Sequence, residues 1–197
     1  MSTQQHPRRT VSMPKRPTLS RNKLRRILIL AKADPRLRNL HDVVSVISFT
    51  GLRLRELSDL RWTDVDFSKK RAAVSSKTAC KRYVPLGRKT IQILEARRFL
   101  NPTSEFVLGG SPAPLLMSVT RKFREVSVKA GAGPLSPNVL RHAFFGELMR
   151  AGANVTTLMF IAGWRSSSSS PVMERRLDAE RQFKLAGQFI AQVEETL

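Results

Sequence analysis

The sequence feature that most constrains the fold is Gly51, which stands between two helical patterns. Before it, residues 43–49 form an apolar run that predicts the end of a buried helix. Gly51 follows that run and is free to adopt the positive-φ conformation that caps a helix C-terminus. After it, leucines recur at helical spacing over residues 54–60, and a second helix is predicted to begin near Leu52. The chain must therefore turn sharply at Gly51 between two packed helices.

Arg53 is predicted to lie in the first turn of the second helix. This is an unfavourable place for a cation, because the N-terminus of a helix already carries partial positive charge. The arrangement is explained if an anion, most simply a phosphate, binds there to the guanidinium group and to free backbone N–H groups. Glu56, three residues further on, is expected to hold Arg53 in position through an ion pair.

The net charge predicts a polyanionic partner. The 197 residues include 35 Lys and Arg against 15 Asp and Glu, which gives a formal charge of +20 and an isoelectric point near 11.6. Nucleic acid is the usual partner of such a chain, and double-stranded DNA is expected here. An anionic membrane surface is the rival partner, but the sequence has no basic amphipathic helix with exposed aromatic residues.

Several classes of protein are not supported by the sequence. The single cysteine, Cys80, allows neither an intrachain disulfide nor a zinc site built from thiolates, and no metal or cofactor is expected. No apolar run reaches membrane-spanning length, and the polar N-terminus shows no signal peptide. We expect a cytoplasmic protein of bacterial or phage type that associates with the nucleoid.

Residues 1–17 are predicted to form a disordered basic arm, because no acidic residue occurs before Asp34 and prolines interrupt the segment. Such an arm is expected to lie along the DNA backbone, where its cations act through counterion release. An inert solvated tail is the alternative. The candidate DNA-binding residues of the arm are Arg8, Arg9, Lys15 and Arg16.

Residues 18–197 are predicted to form one domain of the α+β class, mainly α with a small antiparallel β-sheet. Ser20 is expected to cap a first helix, which ends at Asp34-Pro35. Residues 36–40 are predicted to be a connection between helices. Residues 67–86 are predicted to form the sheet, because short β-prone segments alternate with tight polar turns.

The second half of the domain is predicted to be helical. Residues 87–100 are expected to bury an apolar side made of Ile91, Ile93, Leu94 and Phe99. After a loop over residues 101–114, residues 118–130 are expected to form a helix that exposes two candidate DNA-binding residues, Arg121 and Lys122.

Another helix is predicted to follow, with Ser136 as its cap and Pro137 at its first position. A last helix is predicted from residue 171 onward.

The sequence around Gly51 resembles the first arginine motif of the tyrosine recombinase (phage integrase) family. The matching residues are Thr50-Gly51-Leu52-Arg53, Glu56-Leu57 and residues 60–66. Residues 135–152 resemble the family's His-x-x-Arg box, with Arg141 at the second catalytic arginine and His142 at the largely structural histidine that follows it. The resemblance implies a tyrosine recombinase catalytic-domain-like fold over residues 19–176, without the helical core-binding domain that usually precedes it.

Two further segments resemble motifs of the same family. Ser76-Lys77-Thr78, followed by Val84-Pro85-Leu86, resembles the β-hairpin whose lysine acts as a general acid, and Lys77 is the matching residue. Residues 154–164 resemble the helix that precedes the family's Gly-His or Gly-Trp pair. Trp164 matches the accepted tryptophan variant, whose indole N–H can donate to a phosphate oxygen.

The family's reaction is a phosphoryl transfer, in which two arginines stabilise the scissile phosphate while a tyrosine attacks phosphorus. This sequence departs from that pattern at two positions. Asn138 stands where the box has its histidine, and an amide cannot shuttle a proton near neutral pH. Met173 stands where the tyrosine is expected, and the one tyrosine of the chain, Tyr83, lies in the hairpin. The covalent route is therefore expected to be closed.

Two functions follow from the resemblance. The first is a DNA-binding protein that does not cleave DNA and acts as a regulator, an architectural factor or the partner of a recombinase. The alternative is an active site-specific recombinase or integrase with an atypical nucleophile, for which a serine of residues 166–170 is the candidate. The remnant site would consist of Arg53, Lys77, Arg141 and Trp164, supported by Glu56 and His142.

The last helix also leaves two alternatives open. In relatives, such a terminal helix docks onto a neighbouring subunit, which here implies a homo-oligomer or a recombinase partner. Packing of the helix on its own domain is the other alternative.

Overall fold

The computed structural model describes residues 19–76, 79–163 and 172–196, and the predicted class, mainly α with a small antiparallel sheet, is confirmed. The strands are β1 (Val65–Asp66), β2 (Arg71–Ser76) and β3 (Ala79–Pro85). The α-helices are α1 (Arg21–Ala33), α2 (Arg38–Thr50), α3 (Leu54–Ser58), α4 (Arg88–Leu100), α5 (Pro112–Lys129), α6 (Asn138–Arg150), α7 (Val155–Ala162) and α8 (Val172–Thr196).

Helix α2 lies at the centre of the core. All of its residues from 43 to 50 are buried, and the helix contacts α1, α4 and α6. It ends at Gly51 as predicted, with a φ of 66° and with the glycine N–H donating to the carbonyl oxygen of Ile47 at 2.8 Å. A Cβ atom at Gly51 would overlap the Phe144 ring of α6. The position therefore requires glycine both for its backbone conformation and for the close approach of α6.

The three strands form an antiparallel sheet in the order β1-β2-β3. In the β2–β3 ladder, Ala72 pairs with Val84 and Val74 pairs with Arg82. Ala72, Val74 and Val84 are buried, so this face of the sheet packs on the core. Because side chains alternate along a strand, Arg82 points to the same buried face as Val84.

Helix α8 packs on its own domain in this chain. Its residues Ala186, Ile190 and Val193 join Phe144 of α6 in a second apolar cluster. Near its end, the Glu194 carboxylate accepts hydrogen bonds from the backbone N–H groups of Lys89 (2.9 Å) and Thr90 (3.0 Å) at the start of α4. A carboxylate at that place satisfies free N–H groups and opposes the helix dipole. Docking of α8 onto a neighbouring subunit stays a prediction.

Several predicted helix boundaries are wrong by a few residues. Ser20 caps α1 as predicted, since its hydroxyl accepts from the Lys23 N–H. The helix after Gly51, however, begins at Leu54 rather than near Leu52, and Arg53 is its cap residue. The predicted connection over residues 36–40 is shorter, because α2 already begins at Arg38. The predicted loop over residues 101–114 is shorter as well, because Pro112 begins α5, where the missing proline N–H costs nothing.

Two side-chain predictions are also wrong. Phe99 is 84% exposed rather than buried, because α4 turns Arg97 inward instead. The Arg97 guanidinium is satisfied there by Asp42 at 2.7 Å and by the carbonyl oxygens of residues 107 and 108. Ser136 does not cap α6: the helix begins at Asn138, Pro137 occupies the cap position, and Ser136 contributes only its carbonyl oxygen, to the N–H of residue 139 at 3.1 Å.

Among the helices of the described ranges, none is long and apolar enough to cross a membrane.

Gly51→Ala is expected to destabilise the protein more than Gly110→Ala. Gly51 and Gly110 have φ values of 66° and 70°, so each substitution carries a similar conformational cost of about 1 kcal/mol. Only the alanine at position 51 meets the Phe144 ring, which adds about 1–3 kcal/mol of overpacking, whereas nothing lies within 4 Å of a Cβ atom at position 110. Urea unfolding of both variants measures the difference, and equal losses would contradict the packing role of Gly51.

Candidate phosphate-binding site

The buried carboxylate of Glu56 is the centre of the candidate site. Helix α3 turns this side chain inward, where it is only 3% exposed. Its oxygens accept two hydrogen bonds from Arg53: one from the guanidinium Nη1 at 2.8 Å and one from the backbone N–H at 2.9 Å. The ion pair between Arg53 and Glu56 that the sequence predicts is therefore present.

Arg82 on β3 is a second partner of Glu56, which the sequence reasoning missed. Its Nη1 and Nη2 donate to the two carboxylate oxygens at 2.9 and 3.0 Å, so the pair is bidentate. One sequence signal was available: Arg82 lies two residues before the apolar Val84, so both side chains are expected on the inward face of the strand. A cation placed there requires a buried anionic partner.

Glu56 is ionised at neutral pH despite its burial. Burial by itself raises the pKa of this carboxyl, but the hydrogen bonds from Arg82 and from the Arg53 backbone outweigh that effect. The pKa of Glu56 therefore lies below its ordinary value, and the carboxylate serves as the internal counter-ion of the surrounding arginines.

Arg141 completes the cluster from α6. Its guanidinium donates to the carbonyl oxygen of Gly51 and, at 3.0 Å, to that of Ala162. It also lies over the Phe145 ring, 4.9 Å from the ring centre. Burial, followed by the neighbouring charge of Arg53, lowers the pKa of Arg141 to about 10. The side chain is still a cation at neutral pH, but its charge is disfavoured until an anion approaches.

The C-terminus of α7 is held by the same arginines. Arg82 Nε donates to the carbonyl oxygen of Ile161 at 3.3 Å, next to the bond from Arg141 to Ala162. Gly163 ends the helix with a φ of 69°, and a Cβ atom there would lie 2.8 Å from Cδ of Arg82. The helix end and the arginine cluster are therefore closely packed.

The cluster carries excess positive charge. The cluster contains three guanidinium groups and one carboxylate, which leaves a net charge of +2, and Arg53 is the accessible member with a side chain that is 43% exposed. One expectation is corrected here: the backbone N–H of Arg53 is not free to bind an anion, because Glu56 accepts from it. An anion at this site would therefore bind the guanidinium groups without help from that N–H.

Four other predicted site residues lie on helices α5 and α6, outside the hydrogen-bonded cluster. Asn138 is exposed at the first position of α6, three residues before Arg141 and thus on the same side of the helix. His142 is exposed on the same helix. Arg121 lies on the solvent side of α5, and Lys122 beside it donates to the carbonyl oxygen of Arg36 at 3.4 Å. Within the residues that the structure describes, no hydrogen bond or ion pair joins these four side chains to Glu56.

Other predicted residues cannot be placed. Met173 belongs to α8, but its side chain is not described. The following lie outside the described residues: Arg8, Arg9, Lys15, Arg16, Lys77, Trp164 and the serines of residues 166–170. In the part of the chain that is described, no three His, Cys, Asp or Glu side chains converge into a group that could hold a metal ion.

Glu56→Gln is expected to destabilise the protein by about 3 kcal/mol at pH 7, because it leaves Arg82 buried without its anion. The pKa of Glu56 is depressed in the folded state, so this stabilisation is present above the ordinary pKa of 4.5 and is lost as the pH falls toward the depressed value. The difference between the variant and the wild type should therefore shrink below pH 4.5 in denaturant titrations.

Glu105→Gln is the matched control for Glu56→Gln. Glu105 pairs with Arg61 at the surface, where an ion pair contributes less than about 1 kcal/mol. A loss at position 56 no larger than the loss at position 105 would contradict the central role of Glu56.

Comparison with known proteins connects this geometry to a family. The sequence matches the Phage integrase family over residues 17–173. Tyrosine recombinase XerC of Pediococcus pentosaceus is 29% identical over 154 residues, which cover 72% of this chain and 51% of the relative. XerC of Proteus mirabilis is 30% identical over 138 residues, which cover 66% of this chain and 45% of the relative. The chain thus spans about half the length of these recombinases.

Solved structures agree in fold. The XerA recombinase superposes with a TM-score of 0.65 at 22% identity, covering 86% of this chain and 65% of that one. The lambda integrase catalytic core superposes with a TM-score of 0.61 at 18% identity, covering 79% of this chain and 96% of that one. The family match over residues 17–173, with which this fold agrees, shows that the chain belongs to the phage integrase (tyrosine recombinase) family.

Proposed function

We propose that this chain binds double-stranded DNA through its arginine cluster and does not cleave the DNA strand. In this proposal Arg53 and Arg141 bind a backbone phosphate, and the protein acts as a regulator, an architectural factor or the partner of an active recombinase. Its place of action would be the nucleoid in the cytoplasm of a bacterium, in keeping with its charge of +20.

The observation that carries the proposal is the net positive charge of the cluster. Arg53 is accessible, Arg141 is partly buried, and the single carboxylate of the cluster pairs with both Arg53 and Arg82. A phosphate between Arg53 and Arg141 would supply the missing negative charge and would accept charge-assisted hydrogen bonds. It would also oppose the burial and the repulsion from Arg53 that together lower the pKa of Arg141.

Proteins of the same fold support DNA as the source of that phosphate. The Tn1549 transposon integrase has been solved in complex with transposon right-end DNA, and a lambda integrase dimer has been solved on a core site. The Tn1549 integrase superposes on 87% of this chain with a TM-score of 0.65. We infer that this chain presents its cluster to DNA in a similar way.

The residues at two positions support binding without cleavage. The amide of Asn138 does not gain or lose a proton near neutral pH, and Met173 has no oxygen nucleophile. Tyr83 is the one tyrosine in the sequence, but it follows Arg82 on β3 and therefore points to the opposite face of the sheet. There its ring lies under the guanidinium of Arg71, 4.1 Å from the ring centre.

Arg53→Ala and Arg141→Ala are each expected to weaken DNA binding about tenfold and to lower the salt dependence of binding by about one ion, because each removes a phosphate-binding cation. Arg55→Ala is the matched control. Arg55 lies on α3, the helix that Arg53 caps, but its side chain is 67% exposed and pairs with Asp59. Fluorescence anisotropy with a labelled duplex at several salt concentrations measures both quantities. If Arg53→Ala and Arg141→Ala bind DNA as tightly as Arg55→Ala, the proposal of a phosphate site is wrong.

The absence of cleavage is tested with a suicide DNA substrate, run on a gel with and without detergent. We expect a shifted band that detergent abolishes, because no covalent link forms. The variant Asn138→His/Met173→Tyr is expected to yield a detergent-resistant adduct, because it restores the proton-transfer group and the phenol nucleophile of the family. Met173→Phe, paired with the same histidine, is the control without a nucleophile.

A detergent-resistant adduct formed by the unaltered chain would overturn the proposal. It would favour the alternative function, an active recombinase with an atypical nucleophile, and peptide mapping of the adduct would begin with the serines of residues 166–170.

A further inference from the structure

We infer that Arg82 is a positioning residue of the phosphate site: it balances the charge of Glu56, so that the cluster keeps a net charge of +2 for a phosphate at Arg53 and Arg141. This inference rests on the proposed function and adds a residue that does not itself contact DNA. Arg82 sets the net charge of the site and binds no further ligand in this proposal.

The contacts of Arg82 place it behind the site. Its side chain is 10% exposed, compared with 43% for Arg53, and both of its terminal nitrogens are directed to the Glu56 carboxylate. Its remaining guanidinium nitrogen, Nε, is directed to the carbonyl oxygen of Ile161. A guanidinium whose donors face inward in this way is a support for other groups rather than a ligand for DNA.

The orientation of Arg53 depends on this support. Arg53 Nη1 and Arg82 Nη1 donate to the same oxygen, Oε1 of Glu56, while the Arg53 N–H and Arg82 Nη2 share Oε2. The planar, bidentate fork of Arg82 fixes the plane of the carboxylate. The plane of the carboxylate in turn sets the orientation of the partly exposed Arg53 guanidinium group that binds it.

The charge of the site depends on Arg82 as well. With Arg82 in place, the single carboxylate is balanced from behind, and the charges of Arg53 and Arg141 remain for a phosphate. Without Arg82, Glu56 would pair with Arg53 alone and neutralise it, which would reduce the net charge of the cluster from +2 to +1. A buried side chain therefore sets the affinity of a surface that it does not reach.

Arg82 also joins the cluster to the end of α7. Its bond to Ile161 and the bond from Arg141 to Ala162 cover successive carbonyl oxygens at the negative end of that helix. The close approach of Gly163 to the Arg82 side chain leaves no room for a Cβ atom. The side chain that fixes Glu56 thus also fixes the helix end that leads to Trp164.

The test compares Arg82→Met, Arg82→Lys and the double variant Arg82→Met/Glu56→Gln in the anisotropy assay described for Arg53→Ala. Arg82→Met is expected to bind DNA about tenfold more weakly, with a salt dependence lowered by about one ion. The double variant removes the unbalanced carboxylate and restores the net charge of +2, so it should recover the salt dependence. Its affinity should lie between those of Arg82→Met and the wild type, because the carboxylate that orients Arg53 is gone. Arg82→Lys keeps the charge without the fork and should show intermediate affinity with the wild-type salt dependence.

The failure of this inference is distinguishable from the failure of the proposed function. If Arg53→Ala binds like the wild type, the phosphate site itself is wrong. If Arg53→Ala is weakened but the double variant binds no better than Arg82→Met, Arg82 acts only through packing and the inference is overturned. Thermal melts by circular dichroism show whether each variant folds. If Arg82→Met does not fold, the affinity and salt dependence predicted for the double variant and for Arg82→Lys test the inference instead.

Discussion

The interaction on which this structure most depends is the burial of one carboxylate among arginines. An ionised Glu56 without partners would cost several kcal/mol, so the fold must bring donors to it from elsewhere in the chain. Those donors come from the start of α3 and from β3, and the Arg82 guanidinium group also binds the end of α7. The sheet and the helices are therefore joined by an electrostatic requirement as well as by the apolar core. The candidate binding site is the solvent-facing side of that network.

Gly51 connects this network to the central helix. It ends α2 and admits the Phe144 ring, and its carbonyl oxygen accepts a hydrogen bond from Arg141. The turn that directs the chain from α2 into α3 thus also positions one of the two proposed phosphate-binding groups. Gly51 therefore serves both stability and the proposed binding, because its backbone packs against Phe144 and also accepts the hydrogen bond from Arg141.

Features that depend on neighbours in sequence were predictable. The cap at Ser20, the turn at Gly51 and the ion pair between Arg53 and Glu56 all join residues within four positions of one another, so their spacing carries the information. The pairing of Arg82 with Glu56 spans 26 positions and depends on how the sheet packs against α3, which no local pattern specifies. Phe99 was mispredicted for a related reason: a distant partner, Asp42, makes it favourable to bury Arg97 instead. Nothing in the described residues tests the predictions for Lys77 and Trp164.

The unequal burial of the site residues has a consequence for how such a protein can diverge. Asn138 is exposed at the start of α6, so the side chain at that position can be exchanged with little effect on folding. Glu56, Arg82 and Arg141 are held inside the network. Loss of Glu56 leaves Arg82 buried without its anion. Loss of Arg82 or Arg141 leaves carbonyl oxygens at the end of α7 without their donors. Random substitution is therefore tolerated sooner at position 138 than within the cationic cluster. A lineage that is no longer selected for strand cleavage would then keep the proposed phosphate-binding cluster after the exposed positions around it have changed.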